Sequence, residues 1–320
     1  MQTAVDIRGP IAPPRPSRWA RTARHVRKNA VAYGLILPSL VFLAAVEFYP
    51  LGVGLLEGFK YHSRVQPWLT HYNGLENYRQ ALDDPAVRES LRVSLVAVTS
   101  IVAVSYVLGL VAAVLLNQRI RFRGVYRAVI LVPWVVPPVV AYISWQFMFA
   151  DEGGFLNETL RRLGLIDEPI LWLSKPNLAL GALIAVGVWS RIGFMMITIL
   201  AALAAIPDDL HEAAAIDGAS RWQTFRHVTF PLILPVSIIA TLLQAIWTFN
   251  DFALPFVLTG GGPANATTTL SLLSYREAFQ RFNIGYGTSL AVISMVLMLF
   301  VGAVYLRMQA KRTLYESGGA

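Results

Sequence analysis

Two ionisable side chains, Arg191 and Asp251, each lie inside an otherwise apolar run, where a polar solute or a proton would have to be handled. A charge held in hydrocarbon is costly, so such residues are functional candidates by default and should face a bundle interior rather than lipid. Their chemistry leaves two readings open. A guanidinium and a carboxylate can pair with each other and hold helices together, or both can contact a solute. Groups for covalent chemistry are scarce elsewhere. The chain has no cysteine, which excludes disulfides, thiolate metal sites and a cysteine nucleophile. Its five histidines, His25, His62, His71, His211 and His227, lack metal-site spacing such as HExxH, and surface positions suit His211 and His227. No glycine loop ending in Gly-Lys-Ser/Thr is present, so this chain does not hydrolyse ATP alone. No nucleophile with a neighbouring base can be assembled from its apolar runs, which argues against an intramembrane enzyme.

Placing Arg191 and Asp251 requires a membrane fold. Of 320 residues, 55% are hydrophobic and 14% charged, and the mean hydropathy of +0.53 lies outside the soluble range. The apolar residues gather into runs of about 20 or more, each able to cross roughly 30 Å of hydrocarbon as a helix. Six spans are predicted: 30–56, 93–117, 128–150, 178–206, 231–258 and 286–308. The fold class is therefore all-α, a polytopic membrane protein in which residues 30–308 form one transmembrane domain. Residues 1–29 carry Arg8, Arg15, Arg18, Arg21, Arg24, Arg27 and Lys28 against Asp6 and read as a disordered arm. The first run is too long for a signal-peptide core and reads as an uncleaved span. Six spans put both termini on one side. The basic arm, the loop with Arg119, Arg121, Arg123 and Arg127, and the 309–320 tail flanked by Arg307 fall together there, which makes that side cytoplasmic. This topology also accounts for the net charge of +8, so nucleic-acid binding is not expected. The loops 60–92, 151–177 and 259–285 then face outward, with surface helices expected near 77–82 and 155–163. Pro133, Pro137 and Pro138 can kink the third span, and Trp134 and Trp145 suit interface anchors. The sequons at Asn157 and Asn265 read as chance matches.

The cytoplasmic stretch 206–235 reads IPDDLHEAAAIDGASRWQTFRHVTFPLILP. Pro207, with Asp208 and Asp209 at the positive end of the dipole, starts a helix, and Glu212, Ala215, Ile216 and Ala219 recur on one of its faces. Gly218 can take the left-handed conformation that ends it. Ser220 and Gln223 match a capping box, so a second helix should begin at once and expose Trp222 and Phe225. The product is a compact helix-turn-helix tied at both ends to spans. From spacing alone it can be a hairpin packing on its own bundle or a lever that transmits force into it.

Glu212-Ala213-Ala214, Asp217-Gly218-Ala219, Phe225 and Pro231 resemble the EAA signature of binding-protein-dependent ABC import permeases. Gly74-Leu75-Glu76-Asn77-Tyr78 and Leu258-Thr259-Gly260-Gly261-Gly262-Pro263 look like the carbohydrate-uptake branch, in particular the maltose-type first permease subunit. The likeness runs from about residue 30 onward, whereas the Arg-rich arm matches nothing and the large extra outer domain of some maltose permeases is absent. The resemblance implies a bacterial plasma (inner) membrane permease that alternates access. It implies as partners a second, homologous permease subunit, two ATPase subunits that carry the ATP and Mg, and an extracytoplasmic solute-binding protein; no cofactor belongs to this chain. The loop would be a coupling helix docked on an ATPase subunit, with Glu212 the ionic contact, Gly218 the turn, and Ala213, Ala214, Ala219 and Trp222 the packing surface.

By the same resemblance, the solute would be lined by faces of the spans on either side of this loop. Alignment on Glu212 places Ser190, Arg191 and Phe194 on the first face and Gln244, Trp247, Thr248 and Asp251 on the second. The last four are spaced i, i+3, i+4 and i+7, one helical stripe. An aromatic face with amide, hydroxyl and carboxylate groups suits a polyhydroxylated solute. Arg191 stands where the maltose-type site is small and uncharged, which leaves room for a phosphorylated or anionic solute. The alternative class is an ion-coupled secondary transporter with Arg191 and Asp251 as a relay.

Overall fold

The computed structural model describes residues 29–62, 69–118 and 120–317. Most of the basic arm, together with Arg119, lies outside them. The chain divides into two units, one ending at Leu56 and the other starting at Glu57. The first holds helix α1 (Ala30–Glu57, its last residue the first of the second unit), largely apolar, with one π turn at Ala44–Phe48 that carries Glu47.

In the second unit a short antiparallel hairpin comes first, β1 (Lys60–His62) and β2 (Thr70–Tyr72). The expected outer helices follow as α2 (Glu76–Asp83) and, further on, α6 (Phe155–Arg162). Asn77 ties α2 down, its amide donating 2.9 Å hydrogen bonds to the carbonyls of Gly58 and Lys60.

The long helices are α3 (Pro85–Asn117), α7 (Pro176–Ala204), α9 (Arg221–Asn250) and α12 (Ile284–Ser317). Each of the first two starts on proline, whose missing N–H is no loss in a first turn, and Asp84 caps α3 by accepting from the Ala86 N–H at 2.8 Å. Helices α3 and α7 form the most extensive pairing in the unit. They approach closely because Gly109 faces Met195: a Cβ at Gly109 would sit 2.5 Å from the Met195 Cβ and 3.0 Å from the Met196 nitrogen. Small residues at helix crossings are the usual way to gain dispersion contact in lipid, where apolar burial drives little. Buried Ala113, Leu116, Met196, Ile199, Leu200 and Leu203 carry that seam inward to Ile233 of α9.

Three of the expected spans end differently. The third is broken into α4 (Arg123–Val135) and α5 (Pro138–Met148), bent by 95°. Pro137 and Pro138 stand at the break, where neither ring nitrogen can donate and the residue before a proline is pushed out of helical geometry; Val136 accordingly has ψ 135°. The fifth span stops at Asn250, because Asp251 turns extended (ψ 102°) and its carboxylate accepts from the Leu254 N–H at 3.1 Å, starting a separate helix α10 (Ala253–Thr259). The sixth span extends beyond the expected end: α12 continues through the stretch expected as a tail to Ser317. Among the described residues five helices are long and apolar enough to cross a membrane, or six if the bent pair counts as one crossing.

Beyond α10, Gly260 and Gly261 have φ of +58° and +86°, conformations that cost glycine little. Arg276, in the π turn Arg276–Gln280 after α11 (Leu270–Tyr275), donates to the Gly260 carbonyl and, at 3.2 Å each, to Thr268 Oγ1 and Asn265 Oδ1. Burial pulls its guanidinium below the usual arginine range.

Asn157 organises the loop after α5. Its Oδ1 accepts from the Ile170 N–H (3.1 Å) and the Trp172 indole (3.0 Å), and its Nδ2 donates to the carbonyls of Ile170 (3.0 Å) and Asp151 (3.2 Å). With Asn157 only 3% exposed, the sequon is occupied by structure. Asn157→Ala strips these bonds at a typical net value of about 1 kcal/mol each. We expect early proteolysis within 151–175, with the transmembrane helices still protected, as measured by limited digestion and mass spectrometry.

Candidate functional site

Arg191, near the middle of α7, and Asp251, in the break between α9 and α10, meet with Nη2 and Oδ2 2.5 Å apart. Only 13% and 14% of the two side chains remains accessible. The Tyr142 hydroxyl of α5 donates to the same Oδ2 at 3.1 Å. Arg191 Nη1 donates to Ser190 Oγ (3.0 Å) and to the Gly187 carbonyl (3.3 Å). Both carboxylate oxygens are therefore engaged, Oδ1 by the start of α10 and Oδ2 by a cation and a phenol. A half-desolvated ion pair with its remaining lone pairs satisfied is the arrangement in which Coulomb attraction can offset desolvation.

The pair borders a cavity of ≈ 380 Å³ lined by Pro133, Trp134, Tyr142, Ser190, Trp247 and others. The α4–α5 break supplies one wall and α7 with the end of α9 the other. Phe194 stands between two indoles, 5.9 Å from the Trp134 ring and 5.0 Å from Trp247. Of the seven sequence-predicted residues, Ser190, Arg191, Trp247 and Asp251 border the cavity, and Phe194 backs its aromatic wall. The other two turn away. Gln244 is 1% exposed and donates to Ser105 Oγ of α3, and Thr248, 7% exposed, lines a small internal void together with Ser94, Ile101 and Phe249. Residues spaced i and i+4 on α9 thus follow the face toward α3, while Trp247 follows the face toward the cavity. Asp251 leaves the stripe altogether because the helix ends before it.

Sequence reasoning missed Tyr142 and Trp134. The proline pair was the available signal, since a 95° turn is what aims Tyr142 at Asp251. Trp145, expected as an interface anchor, packs instead against Phe149 and Trp189 at 5.4 Å each.

At the other end of α7 and α9 lies the loop with α8 (Asp208–Ile216). Gly218 has φ +78°, and the turn closes with Ala219 N–H to the Ala214 carbonyl (3.0 Å) and Gly218 N–H to the Ala215 carbonyl (3.1 Å). That pairing is a Schellman motif. The capping box follows at once: Gln223 N–H donates to Ser220 Oγ (3.4 Å), and Ser220 N–H donates to Gln223 Oε1 (2.8 Å). Two rigid turns back to back fix the angle between α8 and α9. Glu212, Ala213, Asp217 and Gly218 are exposed, as are Ile216 at 87% and Trp222 at 66%. Ala214, Ala219 and Phe225 are half-buried. Ala219 and Phe225 line a second cavity, of ≈ 360 Å³, with His211, Arg221 and the ends of α3 and α7. Among the described residues Glu212 forms no ion pair.

The model for the inner membrane component of binding-protein-dependent transport systems matches residues 105–314, which include Arg191, Asp251 and the whole turn from Asp208 to Phe225. This chain belongs to that family. It is 41% identical over 240 residues to a trehalose/maltose transport system permease protein of Thermococcus litoralis, covering 73% of this chain and 78% of that one. It is 32% identical over 290 residues to a sulfoquinovosyl glycerol transport system permease protein of Agrobacterium fabrum, covering 91% and 93%. A solved bacterial ABC transporter involved in the import of the acidic polysaccharide alginate has the same fold at TM-score 0.74 and 22% identity, covering 90% of this chain and 99% of that one. As a family member this chain is a permease subunit, not an enzyme, and the ion-coupled reading of Arg191 and Asp251 has no support. Among the described residues there is no group of three or more His, Asp or Glu that could hold a metal.

Proposed function

We propose that this permease carries a sugar or a related polyhydroxylated solute inward across a bacterial inner membrane, with both termini cytoplasmic, driven by ATP hydrolysed on separate subunits. The observation that carries the reading is the pairing of two sites along the same two helices. A cavity walled by indoles and a satisfied ion pair lies beside the middle of α7 and the C-terminal end of α9, and a stiff, exposed, acid-bearing turn lies where α7 ends and α9 begins. Indole faces match the apolar faces of sugar rings, and the donors of Ser190, Tyr142 and Arg191 match hydroxyls. The names of the relatives, trehalose/maltose and sulfoquinovosyl glycerol permeases, support the sugar class.

Motion of the turn reaches the cavity because α7 and α9 are continuous between them. The partners are two ATPase subunits, one gripping the turn that carries Glu212, Ala213, Ala214, Asp217, Gly218, Ala219, Trp222 and Phe225; a second permease subunit; and a solute-binding protein on the outer side. ATP and Mg belong to the ATPase subunits. Residues 1–29 and 309–320 flank the transmembrane domain 30–308 as cytoplasmic segments.

The test is purification of the assembled complex in nanodiscs and measurement of its ATPase rate with candidate solutes loaded on the binding protein. Stimulation by a sugar is the expected result. Uptake that continues without any ATPase subunit would overturn the reading.

A further inference from the structure

The geometry points to a net-neutral solute cavity, in which Asp251 cancels Arg191 so that an uncharged sugar is accepted and its anionic derivative rejected. This rests on the proposed sugar reading and deepens it. An arginine in a transport cavity, taken alone, argues for phosphate, sulfonate or carboxylate, because its planar fork matches those anions. Here its charge is already balanced and part of the fork is in use. Nη2 faces Asp251 Oδ2 at 2.5 Å, and Nη1 is shared between Ser190 Oγ and the Gly187 carbonyl. An incoming anion would have to share one cation with, or displace, a carboxylate that Tyr142 and the Leu254 N–H hold in place from two further directions.

Among the described residues no other cation borders the cavity: its remaining lining residues are Pro133, Trp134, Val136, Pro138, Ala141, Trp247 and Ala253. An anion would therefore enter an apolar-walled space with a fixed negative charge on one side and no free positive charge, a placement that costs far more than in water. For a neutral polyol the same wall is favourable. Among the described residues, the Nε–H and one Nη2–H of Arg191 have no protein acceptor, so they can donate to a hydroxyl without any net charge being added. The fold does not decide the matter, since the alginate transporter of similar fold is named for an acidic polysaccharide; the charge partner at 251 does.

The experiment uses the assembled permease–ATPase complex in nanodiscs without binding protein, so that selection by the binding protein does not intervene. Saturation-transfer NMR compares maltose and trehalose with their 6-phosphates, and Trp247→Ala serves as the control that places the signal in this cavity. For the unaltered complex, the neutral sugars should give a signal lost in Trp247→Ala, with the 6-phosphates weaker by at least about tenfold, equivalent to about 1.4 kcal/mol. Asp251→Asn keeps an acceptor for Tyr142 but frees the charge of Arg191, and should improve the 6-phosphates by about tenfold relative to the neutral sugars. Equal or stronger binding of the 6-phosphates to the unaltered complex would overturn the inference and leave the sugar reading intact. An unchanged preference in Asp251→Asn would overturn it too. If neither class is detected while loaded binding protein still stimulates ATPase, the cavity is not the solute site and the inference falls without the coupling reading.

Discussion

Gly218→Pro is expected to abolish solute uptake and solute-stimulated ATPase while the permease still inserts and assembles. Proline fixes φ near −65°, and Gly218 sits at +78° with its N–H donating to the Ala215 carbonyl, so the ring removes both the dihedral and the bond that end α8. A graded series separates this backbone effect from simple bulk. A Cβ at position 218 would meet nothing within 4 Å, so Gly218→Ala carries only the left-handed penalty of about 1–2 kcal/mol and should leave reduced uptake. Gly218→Asn should come closest to normal because asparagine tolerates that region. Glu212→Ala tests the other half of the turn. Glu212 is exposed and forms no ion pair among the described residues, so thermal stability should not move while coupling is lost. Normal uptake in both Glu212→Ala and Gly218→Pro would sink the lever.

These two turns show what was legible in the sequence and why. Gly218, Ser220 and Gln223 act on neighbours within five residues, and such local rules need no knowledge of the fold: the Schellman closure and the capping box are where the residue types predict them. Apolar length was equally readable, giving the long helices. What failed to transmit was the ending of helices by tertiary context. Pro137 and Pro138 announce a kink, but the 95° turn and its consequence, Tyr142 reaching Asp251, depend on where α7 lies. The i, i+3, i+4, i+7 spacing from Gln244 to Asp251 assumed one unbroken helix. Because α9 stops at Asn250, the stripe divides, with Gln244 and Thr248 buried toward α3 and Asp251 free to swing onto Arg191. Periodicity assigns a face only as far as the helix runs.

Whether Arg191 and Asp251 are a strut or part of the solute site is a question with a measurable answer. Removing one partner leaves a half-buried charge without compensation, so Asp251→Ala and Arg191→Ala should each destabilise the permease by about 3–5 kcal/mol, read as a lowered unfolding midpoint in nanodiscs. Replacing both, as Arg191→Met with Asp251→Leu, removes the charges together and should restore most of that stability, since a buried pair exchanged for apolar side chains is often nearly neutral. The single losses will therefore not add, and the difference is the coupling between the two residues. Transport then discriminates. If the pair is only a strut, the double variant regains uptake along with stability. If the donors of Arg191 meet the hydroxyls of the solute, the double variant is stable and coupled to its ATPase, yet uptake stays at background because an apolar wall has replaced the polar one. The geometry favours the second outcome: a pure strut has no need to border a 380 Å³ cavity, nor to share it with Ser190, Tyr142 and Trp247.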